Sequence, residues 1–384
     1  MKIVFASNYY NHHQSPFSEA MYSLIGDGYT FIETVPIEQE RLSMGWGEGE
    51  YPQFVMRSYI SDEAYKACVR VINEADVVIT GSAPEAMVKD RVKAGKIVFR
   101  YSERPLKTKV SIIRYCKMLI RLHQYNPPFS KTYMLCASAY TAADFRKFGC
   151  FRNRCYKWGY FPTAKHYDDI DELIAAKKKN SILWAGRFLD WKHPDAAIEV
   201  ADRLKRGEYD FEMQIIGTGE MEGALKKMIR DKNLSDRVKM LGSMKPAQVR
   251  SHMEQSEIFL FTSDRYEGWG AVLNESMNSG CAVVASHEIG SAPFLIQDNV
   301  NGLIYRDGDI DDLYQNTKRL IDDSEKRRSL SHKAYETIVS EWNAENATKR
   351  LLNMAEHMVK GEPIQDLYQT GICSLAEIIS DRWY

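Results

Sequence analysis

Short apolar runs alternate with segments of helical periodicity along the first part of the chain. Four apolar runs predict strands: Lys2–Ala6, Ala75–Thr80, Lys96–Tyr101 and Met134–Ala137. Ser15–Ile25 has the spacing of a helix, with Ser15 as its cap and Pro16 at its first helical position. Because the apolar runs are continuous, they indicate strands buried on both faces, in a parallel sheet covered by helices.

The same alternation restarts after the polar stretch 164–180 and is more regular there. The predicted strands are Ser181–Ala185, Phe211–Ile216, Val238–Leu241, Ile258–Thr262 and Ala282–Ala285. The predicted helices are Pro194–Arg206, Glu220–Lys232, Ala247–Gln255 and Leu273–Ser279. After Asp309 the periodicity is helical to the end of the chain. In open α/β sheets, ligands bind beyond the carboxyl ends of the strands, so the loops at those ends should carry the chemistry.

The length of the chain agrees with two such domains. A chain of 384 residues is longer than one ordinary core organises. The predicted fold class is therefore α/β, with two Rossmann-like domains that face each other across a cleft. The expected boundaries are an N-terminal domain at 1–165, a linker at 166–180, a C-terminal domain at 181–355 and C-terminal helices at 356–384.

Charge and cysteine usage narrow the class of protein. The formal net charge is −1, which gives no global attraction to nucleic acid. No leader-like segment is recognised, and no apolar run reaches the roughly 18–20 residues of a membrane span. The seven cysteines are scattered and form no CxxC pair, which is typical of reduced thiols. These features lead us to expect a cytoplasmic protein.

Two cations follow the first predicted strand of the second half. Arg187 and Lys192 stand in the loop between that strand and a helix, behind Gly186. Cations beside a helix N-terminus can hold an anion, and a departing diphosphate needs such compensation. The alternative is a pair of solvated surface charges. The turn Gly217-Thr218-Gly219 could let backbone approach a ligand closely, although such turns also serve as plain connections.

Two carboxylates follow the predicted strand Ile258–Thr262. Glu267 opens the Gly-rich loop Glu267-Gly268-Trp269-Gly270-Ala271, and Glu275 lies inside the next helix. Carboxylates can accept hydrogen bonds from sugar hydroxyls, and the free N–H groups of a helix N-terminus can bind phosphates. The alternative is an acid that caps the helix and one exposed glutamate.

Together these segments, followed by Met277-x-x-Gly280-Cys281-Ala282-Val283-Val284-Ala285-Ser286, resemble the large family of retaining GT-B-fold glycosyltransferases. That family includes many enzymes of bacterial capsule, exopolysaccharide and lipopolysaccharide assembly. The resemblance is specific from about Ser181 to Asp307 and diffuse in the N-terminal half. It implies a GT-B fold and metal-independent transfer of a sugar from a nucleotide-sugar, UDP-linked, with retention at the anomeric carbon.

The resemblance also implies roles for individual residues. Arg187 and Lys192 would hold the donor diphosphate, Glu267 would contact the donor sugar, and Glu275 would bind the ribose hydroxyls. The remaining donor contacts are implied for Gly217, Met244, Lys245, Gly268, Trp269, Gly270 and Ala271. The final helices, with Trp342, are similar to the segment that in this family crosses back to brace the first domain.

The N-terminal half departs from the family pattern at two places. The first loop, Asn8–Pro16, is not rich in glycine, and its adjacent His12 and His13 are candidates for the acceptor side. No third ligand and no Asp-x-Asp accompany them, so neither a metal nor a cofactor is expected. Where many members carry a histidine near the reacting carbon, this chain has Glu103, which would take a related catalytic place. The alternative for Glu103 is an ion pair with Arg100 or Arg104.

A basic stretch in the N-terminal half suggests a further partner. Eleven Lys or Arg lie between Lys89 and Arg121, opposed only by Asp90 and Glu103. Within it Val110, Ile113, Met118 and Leu122 alternate with Arg114, Lys117 and Arg121, as in a basic amphipathic helix. Such a helix could dock at an anionic membrane face through residues 89–121, or it could be a solvated basic face packed on the core.

Two functions of different classes remain open. The first is a transferase that adds sugar to a glycan or lipid-linked acceptor in surface polysaccharide synthesis, in the cytoplasm or at the inner face of the membrane. The second is a non-catalytic GT-B protein that binds sugar-nucleotide or glycan and stabilises another glycosyltransferase. Retention of both acids and both cations favours the first, because a protein that only binds glycan need not keep a phosphate clamp.

Overall fold

The computed structural model describes residues 1–38, 51–108 and 110–384, which form two compact units. The first unit consists of Met1–Thr163 and Asn343–Ser380, and the second consists of Ala164–Trp342 and Asp381–Tyr384. The chain therefore passes from one unit to the other after residues 163, 342 and 380.

A seven-stranded parallel sheet is the centre of the first unit. Its strands are β1 (Ile3–Ser7), β2 (Tyr29–Glu33), β3 (Val55–Arg57), β4 (Val77–Thr80), β5 (Ile97–Ser102), β6 (Thr132–Cys136) and β7 (Cys155–Lys157). They lie in the order β3-β2-β1-β4-β5-β6-β7, and every pair is parallel. Because the strand order reverses direction between β1 and β4, the topological switch point of this sheet lies there.

The helices of the first unit connect these strands. They are α1 (Ser15–Ile25), α2 (Asp62–Glu74), α3 (Glu85–Lys93), α4 (Ile112–Tyr125) and α5 (Thr141–Lys147). The predicted cap of α1 is wrong: Gln14 holds the cap position, and Asn11 O accepts hydrogen bonds from the amides of Gln14 (2.9 Å) and Ser15 (2.8 Å). Within the described ranges, no helix has both the length and the apolar composition needed to cross a membrane.

The second unit repeats this architecture with a six-stranded parallel sheet. Its strands are β8 (Lys178–Ala185), β9 (Glu212–Ile216), β10 (Val238–Gly242), β11 (Ser256–Phe261), β12 (Ala282–Ser286) and β13 (Leu303–Tyr305). Its helices are α6 (Ile170–Ala175), α7 (Pro194–Arg206), α8 (Glu222–Asp231), α9 (Pro246–Gln255), α10 (Ala271–Asn278), α11 (Ala292–Leu295), α12 (Ile310–Asp322) and α13 (Ser324–Ser340). The strand order β10-β9-β8-β11-β12-β13 is the Rossmann order, and its switch point lies between β8 and β11.

The predicted linker at 166–180 is part of the second unit. Asp169 caps α6 by accepting hydrogen bonds from the amides of Asp171 and Glu172. Lys177 is buried, and its ammonium donates to the carbonyls of Met253 (2.7 Å) and Ser279 (2.8 Å). The polar composition of 166–180 suggested a linker, but these hydrogen bonds attach the stretch to the second unit, and its last residues begin the central strand β8.

The end of the chain also differs from the prediction. The last helix, α14 (Ala344–Lys360), belongs to the first unit and packs against α1, so the return begins at residue 343 and not at 356. Trp342 stays in the second unit, where its ring stacks on Phe294 at 5.7 Å. Residues 361–384 contain no helix. Gly361 ends α14 in the left-handed region (φ 76°), and Pro363 follows it.

The basic stretch 89–121 does not form one surface. Arg91, Arg100 and Arg104 are buried, so the prediction that the whole stretch faces a membrane is wrong. Arg91 donates hydrogen bonds to the carbonyls of Ile72, Ala75, Asp76 and Ile97. Through these hydrogen bonds the Arg91 side chain of α3 connects the end of α2 with β5. Lys109 lies outside the described residues.

Replacement of Arg91 by leucine should destabilise the protein by roughly 3–5 kcal/mol, because four buried carbonyls lose a charged donor. The midpoint of urea-induced unfolding, followed by circular dichroism, measures this effect. The control is Lys93→Leu on the same helix, whose side chain is exposed and which should change stability by about 0.5 kcal/mol or less. Equal midpoints for the two variants would contradict the structural role of Arg91.

Candidate active site

Two loops meet where the strand order of the second unit reverses. The loop after β8 carries Lys192, and the loop after the neighbouring strand β11 carries Glu267. Lys192 Nζ lies 2.5 Å from Glu267 Oε2, and the two side chains are only 13% and 12% exposed. The structure thus brings one predicted cation and one predicted acid into direct contact at the place where such sheets bind ligands.

Thr262 holds the loop that carries Lys192. Its hydroxyl accepts a hydrogen bond from Trp184 Nε1 (2.8 Å) and lies 2.7 Å from the carbonyl oxygen of Lys192. Thr262 is completely buried directly after β11, so the end of one strand fixes the loop of its neighbour. Thr262 was not predicted as a site residue; the available signal was a threonine that closes the apolar run Ile258–Phe261.

Further contacts connect the two loops. The amide of Asp264 donates to Trp191 O at 3.0 Å, and His193 Nε2 lies 3.5 Å from Asp264 Oδ2. The hydrogen bond to Asp264 raises the pKa of His193 above its usual value. Ser263 adds a contact to the central pair, since its hydroxyl donates to Glu267 Oε2 at 2.9 Å. Ser263 and Asp264 were not predicted as site residues.

Arg187 is not part of this cluster. Its side chain is exposed and makes no ion pair with any described residue. The residue after it anchors the loop, since the amide of Phe188 donates to Thr218 O at 2.8 Å. Of the two predicted cations, Lys192 is held by the protein, and Arg187 is available to an anion that reaches the loop.

The glycines after β9 are required by the approach of two protein loops. Gly217 has φ 144°, and a Cβ on it would lie 1.8 Å from Gly186 O. Gly219 has φ 152°, and its Cβ would lie 2.6 Å from Phe188 O. The Gly-x-Gly turn therefore lets the β9 loop lie against the β8 loop. Whether Gly217 also contacts a ligand stays a prediction.

The loop after β10 lies beside these two. The amide of Gly217 donates to Gly242 O at 2.8 Å, which places the segment with Met244 and Lys245 at the same sheet edge. Met244 is half-buried, and the Lys245 side chain is exposed. The amide of Lys245 is already used, because it donates to Gln248 Oε1 at 3.0 Å at the start of α9. The base contacts implied for these residues stay predictions.

The Gly-rich segment before α10 packs closely against the end of β11. Gly270 caps α10 with φ 87°, and a Cβ there would lie 2.5 Å from the Phe261 ring. The Trp269 side chain is fully buried, donates from Nε1 to Asn274 Oδ1 at 2.9 Å, and packs on Trp342. The Trp269 ring is therefore structural, and the segment has the N–H groups of the first turn of α10 to offer a ligand.

Glu275 has an unusual environment one turn further along α10. Its side chain is half-buried, and its carboxylate makes no hydrogen bond or ion pair with any residue that the structure describes. Burial raises its pKa, and the charge of nearby Arg250 opposes that rise in part. A desolvated carboxylate without a donor is suited to accept hydrogen bonds from a ligand.

The first unit carries a separate polar cluster at the carboxyl ends of its strands. Tyr160 donates from its hydroxyl to Glu103 Oε1 at 2.7 Å, and its ring stacks on His13 at 5.6 Å. The rings of His12 and His13 lie 4.0 Å apart. The structure therefore brings together Glu103 and the two histidines, which the sequence suggested separately, and adds Tyr160.

The predicted alternative partners of Glu103 are wrong. Arg100 pairs with Glu85 at 3.0 Å, and Arg104 pairs with Asp144 at 3.2 Å. Glu103 instead pairs with Lys107, whose Nζ lies 2.6 Å from Glu103 Oε2. Among the described residues, no group of three or more His, Cys, Asp or Glu side chains is arranged to hold a metal ion.

The second unit is similar in sequence to known proteins. Residues 168–337 match the family described as "Glycosyl transferases group 1". The chain is 31% identical over 182 residues to the amylovoran biosynthesis glycosyltransferase AmsK of Erwinia amylovora. This aligned region covers 46% of this chain and 44% of AmsK. It is also 31% identical over 163 residues to a Campylobacter jejuni N-acetylgalactosamine-N,N'-diacetylbacillosaminyl-diphospho-undecaprenol 4-alpha-N-acetylgalactosaminyltransferase, covering 42% of this chain and 43% of that one. The chain thus spans less than half the length of these relatives.

A solved structure extends the likeness to the fold of the whole chain. The Anabaena protein HepE, crystallised with UDP, superposes with a TM-score of 0.70 at 16% identity, covering 93% of this chain and all of HepE. At this identity the likeness concerns the fold alone. It confirms the predicted α/β class and the GT-B fold with two Rossmann-like domains.

Replacement of Gly217 by alanine should destabilise the protein by roughly 3 kcal/mol, because its Cβ would meet the Gly186 carbonyl and its φ disfavours any side chain. The melting temperature measures this effect. Gly223→Ala is the control: a Cβ there meets nothing within 4 Å, and a helical alanine should stabilise by about 0.5–1 kcal/mol. A Gly217→Ala variant as stable as the wild type would show that the loops do not pack this closely.

Proposed function

We propose that the chain, whose residues 168–337 match the family described as "Glycosyl transferases group 1", is a retaining, metal-independent glycosyltransferase. It would move a sugar from a nucleotide-sugar, UDP-linked, to a glycan or lipid-linked acceptor in surface polysaccharide synthesis. The observation that carries the proposal is the contact between Lys192 and Glu267 at the switch point of the second sheet.

The donor would bind at the carboxyl ends of the strands of the second sheet. It would separate the Lys192–Glu267 ion pair, and each of the two side chains would bind a different group of the donor. Lys192, joined by Arg187, would hold the diphosphate, while Glu267 would accept hydrogen bonds from the sugar hydroxyls. Each member of the desolvated pair would thereby exchange one partner for another, so neither charge is left buried alone. The unpaired carboxylate of Glu275 would accept from the ribose hydroxyls.

In the proposed reaction, the bond between the anomeric carbon and the phosphate oxygen breaks, and the acceptor oxygen bonds to that carbon on the same face. The electron pair of the broken bond remains on the diphosphate, where Lys192 and Arg187 stabilise the developing charge. The proton of the acceptor hydroxyl passes to the departing phosphate. Because both cations come from the chain, the proposal requires no metal.

The acceptor is proposed to bind the first unit, at the cluster of His12, His13, Glu103 and Tyr160. Its residues offer hydrogen-bond donors and acceptors that hydroxyl groups can use. The acceptor class rests on the relatives, one named for amylovoran biosynthesis and one for a diphospho-undecaprenol substrate. With a lipid-linked acceptor, the protein would work in the cytoplasm at the inner face of the membrane.

The function can be tested with the purified chain and a panel of UDP- and GDP-sugars, by measuring release of nucleoside diphosphate with and without EDTA. We expect release from a UDP-sugar that persists with EDTA. Loss of turnover with EDTA would overturn metal independence. Tight binding of UDP without turnover on any donor and acceptor would support the non-catalytic alternative.

Lys192→Ala should reduce that turnover about ten-fold or more, which corresponds to about 1.4 kcal/mol of transition-state stabilisation. The reason is the loss of the cation that compensates the leaving diphosphate. Initial rates at saturating donor measure the effect, and the melting temperature checks that the variant is folded. Lys226→Ala, on the exposed surface of α8, is the matched control. A near-wild-type rate for Lys192→Ala would reject the donor site.

Glu275→Gln should make the free protein more stable and its UDP binding weaker. Because burial raises the pKa of Glu275 in the folded state, its charge lowers stability as the pH rises through that pKa. The gain from glutamine is therefore absent in acid, below the ordinary pKa of a glutamate, and grows as the pH rises above it. Melting temperatures at acid and at neutral pH and calorimetric titration with UDP measure the two effects. Glu220→Gln, an exposed glutamate of the same unit, should change neither quantity.

A further inference from the structure

Helix α4 of the first unit has two apolar faces, and only one of them packs on the part of the chain that the structure describes. Tyr115, Met118, Leu119 and Leu122 pack against the core cluster that contains Phe148, whose ring stacks on Tyr115 at 4.7 Å. The other apolar residues point away from that core: Ile112 is 82% exposed, Ile113 71% and Ile120 68%. No residue of α4 is fully buried.

This arrangement corrects the pattern predicted from the sequence. Val110, Met118 and Leu122, predicted to share one apolar face with Ile113, pack on the protein, whereas Ile113 lies on the outward face. At about 100° per residue, Ile112, Cys116 and Ile120 form one line along the helix. We call this line, together with Ile113, the outward face.

A basic stripe borders the outward face. Arg114, Lys117 and Arg121 are exposed and lie between the outward face and the packed face of α4. None of the three forms an ion pair with a described residue. Residues 104–143 contain no Asp or Glu, so the positive charge is not balanced locally along the chain.

Apolar and basic groups continue beyond the C-terminal end of α4. Phe129, in the turn that follows, is 98% exposed. A cavity of about 230 Å³ lies beside this turn, lined among others by His123, Pro128, Arg152 and Arg154. Arg152 is exposed and, like the basic stripe, pairs with no described acid.

We propose that the outward face and the basic stripe of α4, together with Phe129, form a docking surface for an anionic lipid bilayer. Several large apolar side chains held in water have a favourable place among acyl chains, and cations beside them meet the negative surface of such a bilayer. The cavity with Arg152 would receive a lipid headgroup phosphate. A nucleic acid would not use the exposed isoleucines. The inference rests on the proposed function only in that the bilayer would present a lipid-linked acceptor.

The test is co-sedimentation of the full chain with vesicles of phosphatidylcholine alone or mixed with phosphatidylglycerol, at low salt and without any donor. We expect binding to the mixed vesicles only. Lys117→Gln/Arg121→Gln should weaken it about thirty-fold, since each basic group near an anionic surface contributes roughly five-fold. Ile112→Ser/Ile113→Ser/Ile120→Ser should weaken it about ten-fold or more.

Matched controls come from helix α2 and the residue before its cap. Lys66→Gln/Arg70→Gln removes two exposed cations that pair with no described acid, and Ile60→Ser removes an isoleucine that is 60% exposed. Both controls should bind vesicles like the wild type. A second readout uses Cys116, because it is exposed while the other six cysteines are buried. An environment-sensitive dye on Cys116 should shift to shorter wavelength with anionic vesicles.

Three outcomes would overturn the proposal: no binding to anionic vesicles, equal binding to neutral vesicles, or binding that survives the isoleucine substitutions. A dimer in light scattering that the isoleucine substitutions dissociate would assign the face to a second copy of the chain instead. UDP titration of the same samples separates this inference from the proposed function. A wild type that binds UDP but not vesicles refutes the docking surface and leaves the donor site standing.

Discussion

The contact between Lys192 and Glu267 depends on the strand order of the second sheet. Only because β8 and β11 are neighbours, with their connections leaving in opposite directions, do the two loops meet with room between them. Both charges are largely desolvated, so each needs the other in the absence of a ligand. The buried hydroxyl of Thr262 fixes the backbone from which the Lys192 side chain extends.

The sequence predicted most of the second unit because continuous apolar strands and amphipathic helices alternate regularly from β8 to β12. Pro194–Arg206 was predicted with its observed bounds, since Pro194 and Gly207 mark its ends. The strands β2, β3, β7 and β13 were missed. β3, β7 and β13 are only three residues long, and β2 mixes polar residues with apolar ones, so none gives a strong periodic signal.

Side-chain partners were harder to predict than elements, because they depend on contacts distant in sequence. Nothing near Glu103 indicates that Tyr160 would reach it, and the adjacent arginines were more obvious partners than Lys107. Likewise, the Gly-x-Gly turn after β9 suggested close approach of a ligand. In the structure its glycines allow the loop after β8 to pack against the turn. The burial of individual basic residues between 89 and 121 could not be predicted either. A count of charges does not distinguish Arg91, which donates to four carbonyls in the core, from Arg114, which is exposed.

The three crossings of the chain between its units limit how such a protein can evolve by recombination. The first unit is assembled from Met1–Thr163 and Asn343–Ser380, with α14 packed on α1. An exchange of the N-terminal segment alone would leave α14 facing a foreign helix. A single breakpoint therefore cannot trade one first unit for another, and a viable chimera needs two coordinated joints or compensating changes along α14.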